Sequence, residues 1–229
     1  MSIEDGFFRE ANVVYLLLKY FSKIRYNDDF MYLPYKISTS GISTHPIYSD
    51  ENGEIHKEDL NKWKSTILEM FNNNSEITFD NETSFDIELG YKKGVEQHKS
   101  SAKRWFYIEA KGDYIRNGKP VAIKKKIQSG LGQLILAAAQ FEEYFHIGSN
   151  FCLAIPWHWE DTLRKYIDNN RLFKKIIEVF GRQEVITKNG KKLELNFFRF
   201  ILIKDDELKI LYLPKNKAKL EVSDIIKLE

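Results

Sequence analysis

Residues 83–91 and 105–113 each alternate with a period of two, and that pattern constrains this chain more than any other. In the first, Phe85, Ile87 and Leu89 interleave with Asp86, Glu88 and Gly90. In the second, Trp105, Tyr107, Glu109 and Lys111 fall on one side and Phe106, Ile108 and Ala110 on the other. Successive side chains of a strand point to opposite faces, so each stretch reads as a strand and the two, joined by a basic loop, as a hairpin. If their polar faces coincide, Asp86 lies beside Glu109, and Lys111 stands on the same face. Two carboxylates and an amine then converge. Should Asp86 face elsewhere, Glu88 is the next carboxylate on its side of the strand.

Such a constellation suits phosphodiester hydrolysis. Carboxylate oxygens hold Mg2+, which keeps several of its waters, and a bound metal acidifies water and polarises phosphate. A nearby ammonium can orient the water or offset charge in the pentavalent transition state. Asp86, followed on the neighbouring strand by Glu109, Ala110 and Lys111, resembles the Asp...(Asp/Glu)-x-Lys signature of the PD-(D/E)xK nuclease superfamily, which includes most type II restriction endonucleases. Phe85 stands where that signature usually has proline. A second acid-x-Lys triplet, Glu207 to Lys209, follows Asp205 and Asp206 between two apolar runs and reads as the turn of a surface hairpin.

The elements around the hairpin follow the order that this resemblance implies for an α/β, restriction-endonuclease-like core: helix, three-strand meander, helix, strand. Residues 4–23 carry Phe7, Phe8, Ala11, Val14, Tyr15, Leu18 and Phe21 at helical spacing. The aromatic stretch 25–44 has no clear assignment. A second helix is expected over 58–71, closed by Asn72, Asn73 and Asn74, and 25–75 reads as an insertion with a helix. A short strand at 76–79 is expected to open the meander. A helix beginning near Gln128 has an almost wholly apolar body, and its Gly130 and Gly132 permit close approach of the backbone. The run 150–155 is apolar throughout, as in a strand buried on both faces and parallel to the Glu109 strand. Beyond it, 156–229 reads as a C-terminal elaboration: one helix over 162–181, a strand at Val185 and Ile186, and strands over 193–203 and 208–213. The expectation is one nuclease domain over residues 1–229, with its core in 1–23 and 76–155.

Composition bounds the function classes. A hydrophobic share of 43% in 229 residues argues for a folded globule. The single cysteine, Cys152, excludes a disulfide framework and a cysteine-rich zinc site. The five histidines lack the paired helical spacing of a zinc protease. No apolar run approaches bilayer length and no basic segment leads into one at the start, so a reducing, cytoplasmic setting is expected, away from membranes. Net charge is only +2, yet residues 92–126 hold eleven Lys/Arg against three acids. Lys92, Lys93, Lys103, Arg104, Arg116, Lys119, Lys124, Lys125 and Lys126 therefore form a candidate DNA-binding set around the acidic pair. Lys124, Lys125 and Lys126 are expected just ahead of a helix start, where backbone N–H groups also favour phosphate.

The resemblance implies further roles. Asp86 and Glu109 correspond to metal ligands for Mg2+, Lys111 to the residue that orients the nucleophile, and Glu10 and Gln133 to supporting residues on the first and later helices. Glu10 also reads as a surface acid near a helix N-terminus, and Gln133 as a surface glutamine. Trp157, His158 and Trp159 read as a helix start with core tryptophans, the other readings being a base-stacking platform and a general base. A free-standing chain of this size is similar to type II restriction enzymes, which act on double-stranded DNA as homodimers matched to palindromic sites. A structure-specific repair or recombination nuclease and a non-cleaving nucleic-acid-binding protein on the same fold are the other two classes.

Overall fold

The structure, a computed structural model, describes residues 10–27, 30–39, 57–81, 85–93, 106–113, 115–116, 119–140, 150–180, 182–186, 192–196, 198–205, 207–213 and 219–223. It is a mixed α/β arrangement with one large sheet between helices. The helices are α1 (Glu10–Lys23), α2 (Lys57–Met70), α3 (Ile123–Gln140), α4 (Glu160–Asn169) and α5 (Arg171–Phe180). In chain order the strands are β1 (Arg25–Asn27), β2 (Phe30–Ser38), β3 (Thr78–Asp80), β4 (Ile87–Lys93), β5 (Phe106–Ala110), β6 (Ile115–Arg116), β7 (Lys119–Pro120), β8 (Asn150–Pro156), β9 (Arg182–Ile186), β10 (Lys192–Asn196), β11 (Phe198–Lys204), β12 (Glu207–Tyr212) and β13 (Glu221–Ser223). The large sheet runs β1-β2-β4-β5-β8-β11-β12-β13, with β3 beside β2.

Its centre is a three-strand antiparallel meander, β2-β4-β5, followed by α3 and a parallel β8. The hairpin has the expected register: Ile87 opposes Ile108 and Glu88 opposes Tyr107. β8 is buried at all seven positions, which explains why its sequence is apolar without alternation.

The first meander strand is a correction. Residues 76–79 were expected to open the meander, but β3 pairs parallel with the outer side of β2 and lies away from β4. The meander strand is β2, inside the stretch expected to be an insertion. Pro34 and a register shift between Pro34 and Lys36 hide its alternation, leaving Tyr35 as the extra residue of a bulge. The remainder of the presumed insertion, α2, packs on α1 through Trp63, Ile67 and Phe71. It ends at Asn72 and Asn73, both with positive φ (55° and 54°), a conformation asparagine tolerates.

Two cores flank the sheet. On one face Val13, Leu17, Leu18 and Phe21 of α1 meet Ile87, Ile108, Cys152, Ala154 and Ile201. On the other, Ile127, Leu131 and Leu134 of α3 and Leu163 and Ile167 of α4 meet Tyr107, Phe151, Leu153 and Phe200. The C-terminal third is also more integrated than expected. β11 pairs parallel with β8, and β12 and β13 carry the same sheet onward; β9 and β10 form a two-stranded sheet of their own among the described residues. The single helix expected over 162–181 is two, because Asn170 leaves the helical region and its Oδ1 accepts the Phe173 N–H at 3.0 Å, capping α5. The turn expected at Asn189 and Gly190 lies outside the described residues.

Candidate active site

The carboxyl end of β5 is where the two helical layers and the meander meet. Asp86 sits one residue ahead of β4 with its backbone pinned, its carbonyl accepting the Ser38 N–H from the end of β2 at 2.8 Å. Its carboxylate turns toward the next strand, where Oδ2 accepts the Ala110 N–H at 2.7 Å. Antiparallel register then sets Asp86 beside Glu109, as the alternation predicts.

Lys111 follows the strand, its N–H donating to the Ala154 carbonyl of β8 at 2.8 Å. Its ammonium donates to Glu109 Oε1 at 2.5 Å, to the Ala110 carbonyl at 2.9 Å and to Glu10 Oε2 at 3.3 Å. Glu10, in the first turn of α1, thus reaches across the end of the sheet from the opposite layer. Asp86, Glu109 and Lys111 are all less than 8% exposed, which is rare for charged side chains unless they are paired.

The electrostatics follow from that crowding. Burial, then the charges of Glu109 and Glu10, push the Asp86 carboxyl up to about 8, against the opposing pull of Lys111 and the Ala110 N–H. Burial also raises Glu109, with Glu10 adding to it and Lys111 opposing. For Lys111 burial works to lower the pKa, but Glu10, Glu109 and Asp86 together outweigh it and the value stands above the ordinary lysine range. Three carboxylates share one fully engaged ammonium. The surplus negative charge calls for either a proton or another cation.

Lys126 supplies part of the answer. It is half-buried, and burial together with the nearby Lys111 lowers its pKa while Glu10 opposes, which places its charge close to the cluster. It lies in the first turn of α3, because the helix begins at Ile123 rather than near Gln128; the Lys125 and Lys126 N–H groups both point to the Ala122 carbonyl. Lys124, Lys125 and Lys126 are therefore helical, a correction to their expected place before the helix. The turn has no acid, and three cations at the positive end of a helix dipole oppose helix formation. Such a turn is suited to an anion from outside.

Gln133, expected as a supporting residue, is exposed and lies two turns farther along α3 than Lys126, roughly 10 Å at 1.5 Å per residue. Gly130, one turn past Lys126, is the contact point between α3 and the site: a Cβ there would lie 2.6 Å from Leu153 Cδ1 and 2.9 Å from Lys111 Cγ. Gly132 faces open space. Gly130→Ala is expected to destabilise the protein by about 1–3 kcal/mol through overpacking and to displace Lys111, read as a lower melting temperature with lower activity. Counting helical positions back from a close-approach glycine at 130 selects Lys126. That signal was hidden by starting the helix five residues late.

The other candidates divide cleanly. Glu88 is half-buried beside Lys36 and opposite Tyr107, apart from the cluster; burial raises its pKa against the pull of Lys36. Trp159 is core, its Nε1 donating to Asp113 Oδ1 at 3.0 Å, and His158 Nε2 lies 3.3 Å from Asp113 Oδ2. Trp157 lies under the Lys209 ammonium, 5.4 Å from its ring centre. In the second triplet Lys209 pairs with Glu160 at 2.8 Å, so that triplet is part of a surface network. Lys124 and Lys125 are exposed. Lys103 and Arg104 lie outside the described residues, as do the side chains of Lys92, Lys93, Arg116 and Lys119.

Among the described residues no three Asp, Glu, His or Cys side chains form a ready metal cage. The donor chemistry nevertheless fits a hard divalent ion. Asp86 and Glu109 each have one carboxylate oxygen in the hydrogen bonds above and bring a second, and the cluster carries surplus negative charge. No described helix is long and apolar enough to cross a membrane. Comparison with protein-family models, curated protein sequences and solved structures finds no match for this chain.

Proposed function

We propose that the chain is a Mg2+-dependent endodeoxyribonuclease with a restriction-endonuclease-like core, cutting double-stranded DNA at a specific sequence. One observation carries this reading: the Asp86 carboxylate accepts the Ala110 N–H between Glu109 and Lys111. It draws three residue types suited to phosphoryl chemistry to one end of the sheet, between the ends of two helices. The order meander, helix, parallel strand supports the same resemblance.

In this reading Asp86 and Glu109 hold the ion, which when bound supplies Lewis acidity and a water of lowered pKa. The chain's own groups do the rest. Lys111 presents positive charge to the phosphate oxygens and orients the attacking water, and Glu10 positions the Lys111 ammonium. Lys126, with Lys124 and Lys125, grips a neighbouring phosphate at the first turn of α3. Two copies acting as a homodimer match the twofold symmetry of a palindromic site.

The test is incubation of the purified protein with long linear DNA of mixed sequence, in Mg2+ and in EDTA. Discrete fragments that appear only with Mg2+ are expected. Cutting confined to branched or flapped DNA makes it a structure-specific nuclease instead, and binding without cleavage of any DNA overturns the enzymatic reading. Lys126→Ala is expected to weaken DNA binding about tenfold across all sequences and to reduce the slope of log affinity against log salt by about one, as for loss of one phosphate contact. Filter binding at several salt concentrations measures both.

A further inference from the structure

The way Lys111 is held says how the site handles cations. Its ammonium takes the Glu109 carboxylate, the Glu10 carboxylate and the Ala110 carbonyl at once. Two carboxylates and a backbone carbonyl are also an oxygen set that Mg2+ and Ca2+ accept. To make these contacts the side chain folds back on its own strand, since Ala110 is the residue just before it, and its stem lies against Gly130. In that pose the ammonium is wholly engaged with oxygens of the chain. It covers a Glu109 oxygen that an ion would use, and it does not present its charge outward to a phosphate.

We infer that Lys111 is a tethered stand-in for the divalent cation, and that the ion enters by exchange with its ammonium. This rests on the reading of Asp86 and Glu109 as a divalent-cation site. Three carboxylates crowded together, two of them buried, need a proton or a counter-cation, and a chain that loads its metal reversibly can hold a cation of its own there in the interval. Lys111 provides it and leaves Glu109 when the ion arrives. The exchange couples two events, because the ammonium becomes able to reach a phosphate only once the ion has taken its place. A lysine that stayed on Glu109 while the ion bound elsewhere on the carboxylates would provide no such coupling.

The experiment uses the full chain without DNA and Ca2+ as the probe. Lys111→Met keeps an apolar stem and removes the charge. By calorimetry this variant is expected to bind Ca2+ at least fivefold more tightly than the wild type, since no ammonium competes, and to gain more in melting temperature on addition of Ca2+. Equal or weaker binding overturns the exchange. In case the variant does not fold, the wild type is treated with an amine-reactive reagent and its peptides are weighed by mass spectrometry. Labelling of Lys111 is expected to rise at least threefold in saturating Ca2+ while Lys124 and Lys125 hold constant, and unchanged or slower labelling again overturns the exchange. A wild type that binds no Ca2+ overturns the cation site itself, an outcome distinct from tight binding indifferent to residue 111.

Discussion

In EDTA at pH 8, Asp86→Asn is expected to be more stable than the wild type and inactive as a nuclease. Burial, and then the charges of Glu109 and Glu10, lift the Asp86 carboxyl from 3.8 to about 8. A carboxyl whose pKa is higher in the folded than in the unfolded chain holds more protons when folded between the two values. Its contribution to stability is therefore complete below about pH 4 and is lost as pH rises toward 8, by up to about 1.4 kcal/mol per unit for one proton. Asparagine is neutral throughout, and its side-chain oxygen still accepts the Ala110 N–H. Over the interval from 3.8 to about 8 the gain at pH 8 amounts to several kcal/mol, read as a melting temperature higher by roughly 5 °C or more for a chain of this length. Melting curves of both proteins from pH 5 to 9 in EDTA measure it, and the wild-type slope should flatten in the variant. A variant less stable at every pH would mean that the Asp86 charge is already compensated. Saturating Mg2+ should reverse the order, since an ion that binds only the folded wild type stabilises it by mass action.

A site that buries charged groups side by side is also legible in the sequence. Asp86, Glu109 and Lys111 interrupt alternating apolar runs at positions that a strand buries, and burial of three charges within one short hairpin has few structural explanations. The hairpin and the apolar β8 follow from period two and from unbroken apolarity, signals local to each stretch, and the parallel pairing of β8 with β5 follows from the crossover through the helix between them. β2 was not legible, because Pro34 and the Tyr35 bulge break its alternation and its meander partner β4 lies fifty or more residues along the chain. α3 began earlier than expected because three lysines in a first turn argue against a helix on propensity and dipole grounds. Neither consideration registers what an anion from outside would add. That misplaced start selected Gln133 over Lys126. Periodicity could place Glu10 on a helix and only the resemblance could place it in the site, since its contact with Lys111 spans a hundred residues of chain and depends on how two layers meet at one end of the sheet.

Lys111 carries the largest expected loss of activity, and comparing two substitutions separates its charge from its geometry. Lys111→Ala removes the cation from beside Glu109 and Glu10 and leaves the buried Glu109 carboxylate and the partly exposed Glu10 without it. DNA cleavage in Mg2+ should fall by about 10³-fold, the scale on which one preorganised stabilising group acts in a transition state, and the metal-free protein should melt lower. Lys111→Arg restores the charge, so its melting temperature in EDTA should return toward that of the wild type. Its cleavage should not return, because a planar guanidinium with a fixed fork of donors cannot place a compact charge where the ammonium stands. Initial rates on a single-site linear DNA, with binding measured separately in Ca2+, distinguish a lost chemical step from lost affinity: binding should hold within a few-fold in both variants. If alanine cleaves as well as the wild type, the Lys111 ammonium only balances charge within the fold. If arginine recovers cleavage along with stability, a positive charge at the end of β5 is sufficient, and the compactness of the ammonium has no part in catalysis.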